Sequence, residues 1–228
     1  MDSLIILVNS KKDSSHEFYY GTDGNPVTGK FDLISIFLHE IAHGLGFLES
    51  FTVTNNVGSW GYHGENPFVF DKHCIVGNNL GTSIYRLLNT SIYPNNSSIL
   101  GNQLTGNNIY FDDELCDYGG QLPKLYAPAE WSQGSSIAHL DTTYPNGSSN
   151  SLMRPSIDYA EVIHSPGEYT LSILESLGWG VNRVITAINP TQGVTWSQGS
   201  VHIIKWSDNI GGALFLDLYK KDGTGEYI

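Results

Sequence analysis

Residues 39–43 read His-Glu-Ile-Ala-His. Residues four apart on a helix lie one turn apart on the same face, so His39 and His43 can offer two imidazoles to one metal ion. Glu40 points to another side of such a helix, better placed beside an ion than on it. That combination is the chemistry of two zinc ligands with a general base next to them. A pattern this short also arises by accident, and histidines on a helix can be ordinary polar residues. Against this, three ionisable side chains in an otherwise apolar segment are costly unless something satisfies them, and a metal ion does so directly.

The segment that must position these groups is 31–47, where apolar residues surround the motif on nearly all sides. The pattern predicts a helix buried in a core. Asp32 lies near its start, where a negative charge suits the helix dipole, and Gly44 and Gly46 supply the stop. Upstream, 3–9 and 16–20 read as strands separated from the helix by a turn at Asp23-Gly24-Asn25-Pro26. Residues 48–135 are loop-rich, with short apolar runs at 68–70, 84–88 and 109–111, and Ser83 to Leu88 reads as a short helix. A segment this long between elements is usually functional or a subdomain. A second helix is expected over 167–177, with Leu171, Leu174 and Leu177 on one side and Gly178 as its stop. From Val184 the texture changes to alternating strands between turns, the opening of a β-sandwich. About 100 residues complete such a domain, and 45 are present. The expected division is therefore 1–183 and 184–228. The phrase Trp-Ser-Gln-Gly-Ser occurs at 131–135 and 196–200, but its flanks differ, so it is not read as a repeat.

The chain has 228 residues, 40% hydrophobic and 12% aromatic, enough for a packed core. Its net charge of −12, from 11 basic and 23 acidic residues, and the absence of any basic run argue against nucleic acid or an anionic membrane surface as a partner. Leu4 to Val8, the longest uninterrupted apolar stretch, is too short for a membrane span. Abundant Asn, Ser, Gly, Thr and Tyr with scarce Lys point to an extracellular, secreted protein, although Met1-Asp2-Ser3 does not open a cleavable signal peptide. Cys74 and Cys116 are read as a disulfide slightly ahead of two buried thiols. Calcium would find acidic turns here but no recognisable calcium loop.

A catalytic zinc usually takes three protein ligands. The position three after Gly46 is Glu49, where an extended H-E-x-x-H-x-x-G-x-x-H pattern would have histidine. Either Glu49 binds the ion, or the chain leaves through a long insertion and returns a histidine later. Downstream come His139, then Leu152-Met153-Arg154-Pro155, then Ile173-Leu-Glu-Ser-Leu-Gly-Trp179. In that order, after His39, Glu40, His43 and Gly46, these landmarks resemble the leishmanolysin family of metzincin zinc proteases. The resemblance covers roughly residues 3–181, with 48–135 matching in position and not in sequence. It implies an α+β, metzincin-like catalytic domain with a long insertion, His139 as third zinc ligand, and Met153 in a methionine turn beneath the metal.

The same resemblance implies a zinc endopeptidase that acts on protein or peptide substrates with Glu40 as general base, the substrate lying extended along a sheet edge near 16–20. Asp141 is a candidate to orient a ligand, or a solvated loop acid. Tyr159 is a candidate oxyanion donor. His16, His63, His73, His164 and His202 have no partner at ligand spacing and default to structural or surface roles. The strands after 184 resemble the start of an immunoglobulin-like module, on Gly193-Val-Thr-Trp196, Lys205-Trp206-Ser-Asp-Asn-Ile210 and Leu216-Asp-Leu-Tyr-Lys220. Its role would be surface attachment or spacing. Both ends read as cut, and the chain is expected to be a fragment of a longer protein. The rival reading is a non-catalytic secreted binding or adhesion protein on a protease-like scaffold, against which the intact Glu40 argues.

Overall fold

The computed structural model describes residues 17–26, 28–61, 66–77, 85–117, 120–180, 185–189, 201, 203 and 205–208. The expected strand at 3–9 lies outside them, as do His16, His63, His202 and the apolar runs at 193–196 and 213–219. The chain divides into two units, Met1–Val181 and Asn182–Ile228.

In the first unit, strand β1 (Glu17–Tyr19) pairs in parallel with β2 (Lys30–Asp32), Phe18 opposite Phe31. Asp32 ends β2 and caps helix α1 (Leu33–Gly44). Its extended backbone turns the chain into the helix, and Oδ2 accepts from Ser35 N at 2.8 Å and Ser35 Oγ at 2.7 Å. A capping carboxylate of this kind satisfies a helix-end N–H that has no partner inside the helix. Oδ2 also meets His164 Nε2 at 2.8 Å, with Asp32 fully buried. Burial pushes this carboxyl up, but the bonds from Ser35 and His164 outweigh it and hold it below its ordinary value.

The other end of α1 closes as a Schellman motif. Gly46 N donates to His43 O at 3.0 Å and Phe47 N to Ala42 O at 3.1 Å, with Gly46 at φ +104°. Gly44 stays within the helix, so of the two expected stop glycines Gly46 is the one whose backbone a side chain would strain. Within α1 only Ser35 and Ala42 are fully buried, and Glu40 is exposed. The all-round burial expected from the apolar pattern is not found, because one face of the helix opens on a cavity.

The inserted segment is built of small pieces. Strands β3 (Thr52–Thr54) and β4 (Val57–Ser59) form a hairpin whose central residues, Asn55 and Asn56, both have positive φ, as a tight primed turn requires. Helix α2 (Ser98–Leu104) crosses this hairpin at Gly58 and Gly101. A Cβ on Gly58 would stand 2.4 Å from Gly101 N, so only paired glycines permit the approach. Strands β5 (Cys74–Val76), β6 (Tyr85–Arg86), β7 (Ile109–Phe111) and β8 (Lys124–Leu125) make an antiparallel sheet in the order β6-β5-β7-β8. The helix expected over Ser83–Leu88 is therefore corrected. Tyr85 and Arg86 pair with Val76 and Ile75, and sheet pairing overrides the local preference of a short apolar run.

A line of buried aromatic rings ties the insertion to α1. Phe47 lies 5.1 Å from Phe70, and Phe70 lies 5.0 Å from Phe111, centroid to centroid. Cys74 and Cys116 are both buried free thiols, which corrects the expected bridge. Cys74 Sγ contacts Phe70 O and Cys116 Sγ contacts Ser176 Oγ, each at 3.6 Å.

Helix α3 (Gly167–Ser176) also ends in a Schellman motif, at Gly178. Just past it, the Trp179 indole donates to Leu45 O at 2.6 Å and so fastens one helix stop to the other. In the second unit, β9 (Ile185–Asn189) and β10 (Lys205–Asp208) pair antiparallel, with an irregularity at Lys205/Trp206. Among the described residues no helix is long and apolar enough to cross a membrane.

A methyl group on Gly46 would meet Leu177 Cδ1 at an ordinary 3.8 Å, so its cost is conformational and not steric. Gly46→Ala is expected to lower unfolding free energy by at least about 1 kcal/mol in urea titration. Unchanged stability would contradict the strained stop.

Candidate metal centre

Helix α1 presents His39 and His43 on one face. His139 arrives on the strand-like segment after β8, where Leu125 and Leu140 form a bridge. That segment is held by Tyr126 N to His139 O at 2.8 Å, Ile137 N to Tyr126 O at 2.7 Å and Leu140 N to Met153 O at 2.7 Å. Ile137 is buried with φ +66°, a conformation costly for a β-branched residue, so its surroundings must impose the bend that delivers His139.

The three rings converge through one atom each. His39 Nε2 and His43 Nε2 are 3.0 Å apart, and each stands 3.2 Å from His139 Nε2. On the far side of each ring Nδ1 meets a backbone carbonyl: His39 to Leu152 O at 2.7 Å, His43 to Phe47 O at 2.8 Å, His139 to Ser135 O at 2.8 Å. A carbonyl oxygen only accepts, so each Nδ1 carries the proton and donates it. In a neutral ring the Nε2 then holds a bare lone pair. Three lone pairs at hydrogen-bond distance with no hydrogen between them repel one another, and a shared cation removes the conflict.

Burial, followed by the charges of its two neighbours, pushes the His139 imidazole down to about 3. His39 is pushed down by the same burial and by His43. Protonation of His39 or His139 is therefore not how these two rings are satisfied near neutral pH. Donors about 2.0–2.1 Å from a tetrahedral ion stand about 3.3 Å apart, close to the spacing found. Three histidines, His139 buried and His39 and His43 partly buried, thus lie close enough together to bind one metal ion. Carbonyl partners on the outer nitrogens are what such ligands commonly have.

Beside the cluster is a cavity of about 150 Å³ with His39 and Glu40 on its wall. Glu40 thus shares the cavity wall with His39 and is not part of the three-nitrogen cluster, as its helix position requires.

The other candidates fall elsewhere. Glu49 is not the third ligand. It is buried against Asp71, with Oε2 lacking a hydrogen-bond partner among the described residues. Burial and then the Asp71 charge push its carboxyl up to about 8, so it holds a proton at neutral pH. Asp141 does not orient His139, whose Nδ1 goes to Ser135 O. It accepts from Thr143 N at 3.0 Å and pairs with Lys124 Nζ at 3.4 Å. Met153 is fully buried between Leu152, whose carbonyl holds His39, and the bond to Leu140 N. Tyr159 is half-exposed and stacks on Phe31 at 4.4 Å. His73 lies against Phe111 and Asp113, and His164 against Asp32. The carbonyls of Phe47, Ser135 and Leu152 went unforeseen, since every residue type carries one.

Comparison of the chain with protein-family models, curated proteins and solved structures finds no match. The site therefore stands on its own geometry.

An unfolded chain takes protons on its histidines near the ordinary 6.5, while folded His139 does so only near 3. Between these values the unfolded state binds more protons, so stability rises with pH there and is lost as pH falls through the window. Glu49, raised to about 8, acts in the opposite sense, so the His139 contribution is read against a His139→Gln variant. From pH 6.5 toward pH 3 the melting temperature of metal-free wild type should fall relative to that variant, and a constant difference from pH 7 to pH 4 would contradict a neutral, desolvated His139.

Proposed function

We propose that this chain is a zinc-dependent endopeptidase of metzincin-like architecture. The observation that carries the proposal is the convergence of three Nε2 atoms, with His39 and Glu40 on the wall of one cavity. Imidazole nitrogens suit zinc, and three protein ligands leave a fourth position, the donor count of a catalytic and not a structural site. His39, His43 and His139 would hold the ion, which when bound supplies Lewis acidity that acidifies water and polarises a carbonyl.

The chain's own residues do the rest. The carbonyls of Leu152, Phe47 and Ser135 keep the three rings in the tautomer that leaves Nε2 free. Glu40, outside the donor set, accepts a proton from the attacking water and returns it to the departing amine nitrogen. Strand β1, paired with β2 on one side, is the candidate edge for an extended substrate backbone. The Asn- and Ser-rich, Lys-poor composition supports an extracellular setting, and β9 and β10 are the part of the proposed attachment module that lies within the described residues.

Zinc-loaded protein should cleave an unstructured protein such as casein, and a chelator should stop it. Glu40→Gln should keep stoichiometric zinc while cleavage falls by about 10²–10⁴-fold, the usual size of a general-base contribution. Full activity in Glu40→Gln would remove Glu40 as base. Zinc binding without cleavage by the unmodified chain would favour a binding protein on this scaffold.

A further inference from the structure

The cavity beside the metal cluster is walled by His39, Glu40, Ile36, Leu152, Ile157 and Arg154. Five of these fit the reaction or an apolar pocket. Arg154 does not. Its side chain is 11% exposed, so a guanidinium cation is nearly withdrawn from water here. Such a cation is costly unless opposing charge and acceptors surround it.

Its partners are few. Nη1 donates to Asn146 Oδ1. The nearest carboxylate, Glu161, stands 3.9 Å away. Both Glu161 oxygens are already engaged, Oε1 by Gly147 N at 2.7 Å and Oε2 by Asp158 N at 2.9 Å. Arg154 Nε is buried with no hydrogen-bond partner among the described residues. The group that prefers a two-pronged carboxylate above other partners thus belongs to the cavity wall with one amide acceptor and one carboxylate at the far limit of an ion pair.

The proposed reaction decides which part of a substrate enters. Glu40 returns its proton to the departing nitrogen, so the residue carrying that nitrogen must lie against Glu40. The side chain of that residue then falls into the cavity that Glu40 walls. We propose that this cavity takes an acidic side chain, aspartate or glutamate, on the residue that follows the cleaved bond, with Arg154 as the residue that selects it. This rests on the endopeptidase reading for the identity of the bond, and on the cavity and Arg154 for the charge preference.

Two measurements test it. In the first, zinc-loaded wild type is given fluorogenic peptides that differ only after the cleaved bond: Asp, Glu, Asn, Gln, Leu or Lys. The Asp and Glu peptides should exceed their amide counterparts at least about tenfold in kcat/KM, as expected for a charge-assisted bond. Arg154→Gln should erase that ratio, and Arg154→Lys should keep part of it. Equal rates for Asp and Asn peptides in the wild type would overturn the proposal without any variant. In the second, calorimetry on Glu40→Gln measures Kd for the Asp and Asn peptides without turnover. Tighter binding of the Asp peptide supports the acidic pocket even if no peptide is ever cleaved, in which case only the hydrolase reading fails. Equal affinity, or binding of neither peptide, overturns the pocket.

Discussion

Three imidazole nitrogens, each with its lone pair aimed at the other two, are the constraint around which this structure is arranged. The protons sit on the opposite ring nitrogens, where carbonyls hold them, and burial resists adding more to His39 and His139. Each ring is held by a carbonyl from a different place, Phe47 just past α1, Ser135 in the loop before His139, and Leu152 in the turn beyond it. The three lone pairs meet only if all three segments are folded. A cation at that point would bind the folded chain far better than the unfolded one, and its binding free energy would count as folding free energy.

The rest of the first unit can be read as what fixes α1 relative to those segments. At one end Asp32 joins the helix start to His164, 132 residues away in sequence. At the other end Gly46 reverses the chain so that the Phe47 carbonyl turns back to His43, and Trp179 closes the helix stop through Leu45. The Phe47–Phe70–Phe111 line then fastens the insertion's sheet to the same corner. The buried Glu49–Asp71 pair fits this role, because Asp71 receives Ser50 N, Ser50 Oγ and Phe68 N and so ties the chain after α1 to the start of the insertion.

Much of this was legible in the sequence wherever the cause is local. Helix periodicity placed His39 and His43 on one face, Asp32 announced a helix start, and Gly46 and Gly178 announced stops, because caps depend on a few neighbouring residues. Long-range facts were not legible from spacing. His139 was singled out only through order and resemblance, since no periodicity links residue 139 to residue 43. Glu49 stayed open as a lesser alternative, which its burial beside Asp71 removes. The short run at 83–88 carries too few residues for its period to speak, and sheet partners decided part of it. The thiols of Cys74 and Cys116 stay apart because each fills a separate core position, which cysteine counting cannot detect.

X-ray absorption at the zinc edge on zinc-loaded protein tests the shared-ion claim most directly. One ion per chain should show nitrogen or oxygen donors at about 2.0–2.1 Å, with outer-shell scattering from three imidazoles. A spectrum fitted by two imidazoles or fewer, or protein that takes up no zinc at all, would contradict the convergence of His39, His43 and His139 on a single metal.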